Sequence, residues 1–246
     1  MKIIKRLLLG LLAVTVLSAF GFLLWAETPA QPTDIAMQAL KSDSQVTVTQ
    51  YTDYILFEPA AQRTTTGFIF YPGGRVDYRA YAPVLRRIAE QGYFVALVKM
   101  NLNLAFFEVN AADDVIAAYP QIERWGIGGH SLGGVAAALY TKDHLDVIRA
   151  IVFWASYPAD DSLRDSNVLV TSIYGTNDGL STPAKIEASR ALLPAHTQYV
   201  AIEGGNHGQF GSYGTQAGDR VAAISAEEQW DQIAEATVRM LASLLK

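Results

Sequence analysis

The sequence predicts an α/β domain built on a mostly parallel sheet with helices on both faces. Two observations predict it. Apolar runs of about five to seven residues alternate along the chain with segments of helical periodicity. Apolar runs of that length alternating with helices imply a parallel sheet covered by helices on both faces. The chain has 246 residues, enough for one sizeable core.

The elements follow in order. Val46–Tyr51 and Tyr54–Phe57 are rich in β-branched and aromatic residues and read as the strands of a hairpin. Gly67–Tyr71 is an apolar strand ended by Pro72-Gly73-Gly74. A helical period runs over Tyr81–Gln91 and stops at Gly92. Tyr93–Lys99 is a strand. Asn110–Tyr119 is a helix, closed by Pro120. Trp125–Gly128 is a strand, and Leu132–Tyr140 an Ala-rich helix. Ile148–Trp154 and Val168–Tyr174 are strands, Pro183–Leu193 a helix, Gln198–Ile202 the last strand and Glu227–Leu245 a long amphipathic helix. Only about 13 residues separate the strands ending at Trp154 and starting at Val168, too few for a cap domain. Gly204–Ala226 is a long Gly-rich connection, of the kind that is functional or mobile.

The N-terminus carries the one targeting signal. Lys2, Lys5 and Arg6 precede an uncharged apolar stretch, Leu7–Ala26, of about the length that spans a bilayer. It ends at Trp25, a residue suited to the membrane interface. Residues 1–26 read as an uncleaved anchor, or alternatively as a signal peptide cleaved near Thr28-Pro29-Ala30. Residues 27–45 read as a linker, with a short helix around Ile35–Lys41, and 46–246 as one catalytic domain. Positive charge on the cytoplasmic side places that domain outside the cytoplasm, membrane-anchored or, after cleavage, secreted or periplasmic. The net charge is −5 and no basic run lies downstream of the N-terminus, which excludes nucleic acid as a partner. The absence of cysteine excludes thiol catalysis, disulfides and cysteine-ligated zinc.

Gly129-His130-Ser131-Leu132-Gly133-Gly134 is the strongest local signal. It fits G-x-S-x-G, with a strand before it and a helix after it. Such a turn holds the serine in strained backbone geometry, needs glycines where side chains would clash, and aims a helix N-terminus at the reacting oxygen. The plain alternative is a Gly-rich turn whose serine caps the helix.

Four histidines are candidates for a base. His144 and His196 sit in polar stretches near helix ends. His130 adjoins Ser131, where adjacent side chains of a sharp turn diverge, and reads as a packing or site-lining residue. His207 follows the last strand in Gly204-Gly205-Asn206-His207-Gly208, where glycines let the backbone bring an imidazole beside a crowded site. Asp178 stands in Asn177-Asp178-Gly179 directly after the preceding strand, where a carboxylate can accept from the imidazole. An ordinary Asn-Asp-Gly turn is the bland reading of that stretch. Asp160, Asp161 and Asp165 are rival acids that read as solvated loop charges. Ser131, Asp178 and His207 each lie just past the C-terminal end of a strand, the edge where parallel sheets collect ligands and catalytic groups.

With that order of residues, the chain over roughly 46–246 resembles the α/β-hydrolase superfamily, and within it small lidless esterases and the dienelactone-hydrolase-like group. It departs from the latter in having no cysteine nucleophile. The resemblance implies a three-layer sandwich on an eight-stranded sheet without a cap, and a Ser131–His207–Asp178 triad. It also implies an oxyanion hole from the N–H of Leu132 and of Gly74, with Arg75 next in line, since Tyr71-Pro72-Gly73-Gly74 resembles the family's His-Gly-Gly turn. Removing one such donor typically costs about 2.7–4 kcal/mol of transition-state stabilisation. Arg75, Lys99, Tyr157 and Phe210 are candidate substrate-binding residues, with Tyr213 of the same standing. The apolar segment 102–107 is a candidate to bind an acyl chain or rest near the membrane, against core packing. The expected partner is a small-molecule ester or acyl substrate, with no metal or organic cofactor. Acyl transfer to an alcohol on the same residues, and a non-catalytic membrane-tethered binding protein, are the alternatives.

Overall fold

The computed structural model describes residues 2–60 and 65–245. Its strands are β1 (Val46–Gln50), β2 (Tyr54–Pro59), β3 (Thr66–Tyr71), β4 (Phe94–Val98), β5 (Arg124–His130), β6 (Ile148–Trp154), β7 (Leu169–Gly175) and β8 (Gln198–Ile202). Its helices are α1 (Lys2–Ala26), α2 (Asp34–Ala39), α3 (Ala82–Glu90), α4 (Ala112–Ala118), α5 (Leu132–Asp143), α6 (Pro183–Ser189) and α7 (Ala226–Ser243). The strands form one eight-stranded sheet in the order β1-β2-β4-β3-β5-β6-β7-β8. β1 and β2 pair antiparallel as the expected hairpin, β2 pairs antiparallel with β4, and β3 to β8 run parallel.

The expected alternation holds throughout, with differences at the ends of elements. The helix expected over Tyr81–Gln91 begins at Ala82, after a 3₁₀ turn over Tyr78–Tyr81 capped by the Asp77 side chain. The helix expected over Pro183–Leu193 gives way after Ser189 to another 3₁₀ turn. α7 begins at a capping box, with Ser225 and Glu228 satisfying each other's main-chain N–H groups.

Successive strand residues point to opposite faces and so build two cores. Phe68 and Phe70 of β3 and Val152 and Trp154 of β6 pack under α3 and α7 with Leu85, Ile88, Trp230 and Met240. Ile69 and Tyr71, with Ile151 and Phe153, pack under α4 and α5 with Val115, Trp125 and Ala137. Trp154 lies 4.3 Å from Phe70 between ring centroids, and its indole N–H donates to Thr237 on α7 at 3.2 Å. Burying one such large apolar side chain is worth about 1.5–3 kcal/mol. With both faces loaded this way, the sheet is a rigid platform for the loops at its ends.

Between β6 and β7 the chain forms turns only, so no cap domain covers the sheet edge among the described residues. The 27–33 segment is fastened across that edge. Ala30 donates to the Arg75 carbonyl at 2.8 Å and accepts from Asp77 at 2.9 Å, and Thr33 donates to the Ser212 carbonyl at 2.8 Å. α1 stands clear of the domain except at its last turn, where Ala26 is buried.

Candidate active site

All five non-glycine residues with positive φ among the described residues lie just beyond the C-terminal ends of strands. They are Arg75 after β3, Leu102 and Asn103 after β4, Ser131 after β5 and Ala155 after β6. Backbone strain costs of order 1–3 kcal/mol per residue and persists only where packing over-determines it. Its concentration along this one edge marks where the fold spends stability on geometry.

Ser131 has φ 51° and ψ −119°. Its N–H donates to the Trp154 carbonyl at 3.0 Å, and its carbonyl accepts from the Ser156 hydroxyl at 2.6 Å. These bonds pin the turn between β5 and α5. The flanking glycines are demanded by main chain, not by flexible side chains. A Cβ on Gly129 would lie 2.4 Å from the Gly133 carbonyl carbon, and one on Gly133 would lie 2.2 Å from the Tyr71 oxygen. Gly133→Ala is therefore expected to destabilise the chain by about 3 kcal/mol, the upper end for an overpacked site. A denaturant midpoint shifted at unchanged slope would show it, and a midpoint equal to the parent's would contradict this account of the turn.

His207 and Asp178 are brought together. His207 Nδ1 is 2.8 Å from Asp178 Oδ2, and both side chains are buried. Asp178 Oδ1 accepts the main-chain N–H groups of Leu180 and Ser181, each at 2.7 Å. Three donors on one carboxylate suit its ionised form. An acceptor-only carboxylate at Oδ2 assigns the hydrogen to Nδ1, which leaves Nε2 with its lone pair. Ser131 and His207 make no hydrogen bond to each other among the described residues.

Among the described residues the N–H groups of Gly74 and Leu132 take no main-chain or side-chain acceptor, and the two residues are adjacent. A Cβ on Gly74 would fall 2.8 Å from Leu132 Cδ2. The Arg75 N–H is already given to the Asn103 carbonyl at 2.8 Å, which removes it as the reserve donor.

The other candidates sit as follows. The Arg75 guanidinium turns away to α1 and donates to the carbonyls of Trp25 at 2.9 Å and Thr28 at 2.8 Å. Lys99 is exposed and lines a surface cavity of about 340 Å³ with Glu27, Asp77 and Arg79. Tyr157 is half-buried. Phe210 is fully buried and stacks on His130, with ring centroids 5.6 Å apart. Tyr213 is buried, and its hydroxyl donates to Gln216 at 2.8 Å. Asp160 and Asp161 are exposed, in keeping with solvated loop charges.

Two arrangements were not readable from sequence. The Tyr81 hydroxyl accepts from the Gly73 N–H at 3.0 Å and sits 2.8 Å from His130 Nδ1. Its oxygen takes the amide hydrogen, and its own hydrogen is available to an acceptor Nδ1. The His130 ring lies 4.4 Å from that of His207. Burial, then the neighbouring His207, hold His130 well below the usual imidazole range, so it stays neutral. Its Nε2 has no hydrogen bond of good geometry, although the His207 main-chain carbonyl favours its protonation. The second arrangement is Asp219, whose two oxygens accept from Gly179 at 2.9 Å and Gly208 at 2.8 Å, the residues after Asp178 and His207. One carboxylate thus clamps both loops. Gln229 of α7 adds a two-way bond to the Asn206 main chain, at 2.8 and 3.0 Å. The Gly204–Ala226 connection is therefore tightly cross-linked. A cavity of about 460 Å³ lies behind it, lined by Thr33, Gln209, Asp219 and Trp230. None of Ser131, Asp178 and His207 lines that cavity, so the site is placed by the geometry of these three residues instead.

The fold and this edge define the class: a lidless α/β protein with its polar groups gathered at the C-terminal ends of a parallel sheet. The chain belongs to the alpha/beta hydrolase family, whose family model matches residues 67–231. It is similar in fold to a dienelactone hydrolase from Anabaena variabilis, at 17% identity and TM-score 0.60, over 81% of this chain and 98% of that one. It is likewise similar to the esterase domain of a Rhodothermus marinus protein, at 13% identity and TM-score 0.59, over 79% of this chain and 97% of that one. An alpha/beta hydrolase enzyme from the metagenome of sediments of the Mar Chica lagoon, Morocco, matches at 18% identity and TM-score 0.55, over 65% of this chain and 89% of that one. The search of curated proteins found no match.

Proposed function

We propose that the chain is a serine hydrolase that cleaves carboxylic esters, with Ser131 as nucleophile, His207 as general base and Asp178 as its orienting acid. The observation that carries this reading is the buried 2.8 Å His207–Asp178 bond at the same sheet edge as the strained Ser131. The N–H groups of Gly74 and Leu132, which take no acceptor among the described residues, support it.

His207 Nε2 takes the Ser131 proton as Oγ attacks the ester carbonyl carbon. The carbonyl π electrons move onto oxygen, which the Leu132 and Gly74 N–H groups hold. The tetrahedral species collapses, the bond to the alcohol breaks, and His207 gives its proton to the departing oxygen. Water, deprotonated by His207, then attacks the acyl-serine, and Ser131 Oγ recovers its proton as the acid leaves. Asp178 remains ionised throughout and stabilises the imidazolium at each stage.

We also read α1 as an uncleaved anchor, with the domain outside the cytoplasm. Ile4–Ala26 is long and apolar enough to cross a membrane, with mean hydropathy 2.5, and it stands clear of the domain except at its C-terminal end. Lys5 and Arg6 lie at its N-terminal end, the cytoplasmic side by charge bias.

The test is fluorophosphonate labelling of the full chain in detergent, followed by p-nitrophenyl esters from acetyl to palmitoyl. The expected result is one label per chain, on the peptide containing Ser131, and ester turnover above the uncatalysed rate. A folded chain that takes no label and cleaves no ester would sink the reading.

A further inference from the structure

The segment after β4 joins the apolar helix to the candidate oxyanion turn. Asn103 Nδ2 donates to the Ala26 carbonyl at 3.0 Å, and Phe107 packs against Phe22 with ring centroids 6.3 Å apart. Leu104 reaches the other way, to within 3.6 Å of a Cβ placed on Gly74. Arg75, next to Gly74, completes the junction. Its guanidinium lies 4.3 Å from the Trp25 ring centroid and donates to the Trp25 carbonyl. The last carbonyls of a helix have no partner within it and carry the negative end of its dipole, so cationic and amide side chains suit them. Here those side chains come from the two loops that flank the candidate site.

The consequence is orientational. Ile4–Ala26 is 23 residues, about 35 Å at 1.5 Å per residue, against a hydrocarbon core about 30 Å thick. The Trp25–Ala26 end therefore emerges at the bilayer surface, and Arg75 and Asn103 hold the sheet edge directly against it. Phe106 and Phe107 are 51% and 55% exposed, on the same junction, with Phe22 and Trp25 beside them. Such a cluster is continuous with the span, and aromatic side chains favour the headgroup level.

We propose that the strand-end edge carrying Ser131 is docked on the bilayer through α1 and Phe106–Phe107, and that its ester is an acyl lipid resident in that bilayer. The docking rests on the anchor reading of α1, and the substrate class rests also on the hydrolase reading. An ester entering along Leu104 would come to Gly74 from the lipid side, its acyl chain remaining in apolar surroundings.

The chain has no cysteine, so single-cysteine variants take a nitroxide label at one place only. Phe106→Cys and, on the opposite edge before β6, Asp146→Cys would be labelled in the full chain reconstituted in phosphatidylcholine vesicles. The expected result is that the label at 106 is more accessible to oxygen than to a water-soluble nickel chelate, and that the label at 146 shows the reverse. Equal, water-like accessibility at both positions would overturn the docking. For the substrate, Phe106→Ser/Phe107→Ser should lower the ratio of rates on vesicle-embedded p-nitrophenyl palmitate and dissolved p-nitrophenyl acetate at least tenfold. An unchanged ratio would overturn the lipid-fed route. A label buried at 106 in a chain that cleaves neither ester would leave the docking standing and refute the hydrolase reading.

Discussion

Ser131→Ala is expected to lower kcat on p-nitrophenyl esters by on the order of 10⁶, the scale seen when a serine hydrolase loses its nucleophile. It should abolish fluorophosphonate labelling while leaving the fold in place. The asymmetry follows from the local contacts. The Ser131 N–H and carbonyl hold the turn together through Trp154 and Ser156, and alanine keeps both. The hydrogen bonds of Ser131 among the described residues are all main-chain ones, so loss of the hydroxyl leaves no polar group orphaned. Stability should therefore change by no more than about 0.5 kcal/mol. Ser156 is a rival hydroxyl beside the turn, but it is committed to the Ser131 carbonyl at 2.6 Å. Turnover or labelling that survives Ser131→Ala would transfer the nucleophile to another residue and dismantle the site described above.

The parts legible in sequence are those fixed by local rules. The mostly apolar runs at β3 and β6 betray strands covered on both faces, because burial on both sides selects apolar residues at successive positions. The glycines at 129 and 133 are legible for a similar reason. The turn brings main chain within 2.2–2.4 Å of where their Cβ atoms would be. The positions of Asp178 and His207 after consecutive strands were also readable, since a parallel sheet carries its turns to one edge. What was not readable depends on residues distant in sequence meeting in space. Tyr81 lies in an apolar helical period, and nothing in that period tells that its hydroxyl links Gly73 to His130. A buried tyrosine hydroxyl must find a partner, but its identity is a tertiary fact. Asp219 reads as one more loop carboxylate, and only the folded loop shows it between Gly179 and Gly208. Arg75 was readable as a neighbour of the candidate oxyanion turn. Its side chain goes to α1 because the carbonyls at the helix end and an indole face await it there.

The role assigned to Asp178 has a sharper consequence than simple loss of charge. Asp178→Asn is expected to lower kcat about 10⁴-fold, as the same change does in a triad where the fold survives it. That is about 5.4 kcal/mol at 1.36 kcal/mol per decade. The cause is the hydrogen-bond inventory around the carboxylate. Oδ1 accepts from Leu180 and Ser181, both main-chain donors that cannot turn away. Asparagine must keep its carbonyl oxygen there and present its NH₂ to His207. An NH₂ only donates, so His207 Nδ1 must become an acceptor and its hydrogen must move to Nε2. The imidazole would then face Ser131 with a donor where a base is needed. Stability should fall little, because no buried partner is lost. Ring-nitrogen NMR checks the cause separately from the rate: the protonated nitrogen should switch from Nδ1 in the parent to Nε2 in the variant. Activity within tenfold of the parent would show that another carboxylate orients His207. Asp219 would be the one to test next, since it already bonds the main chain on either side of the pair.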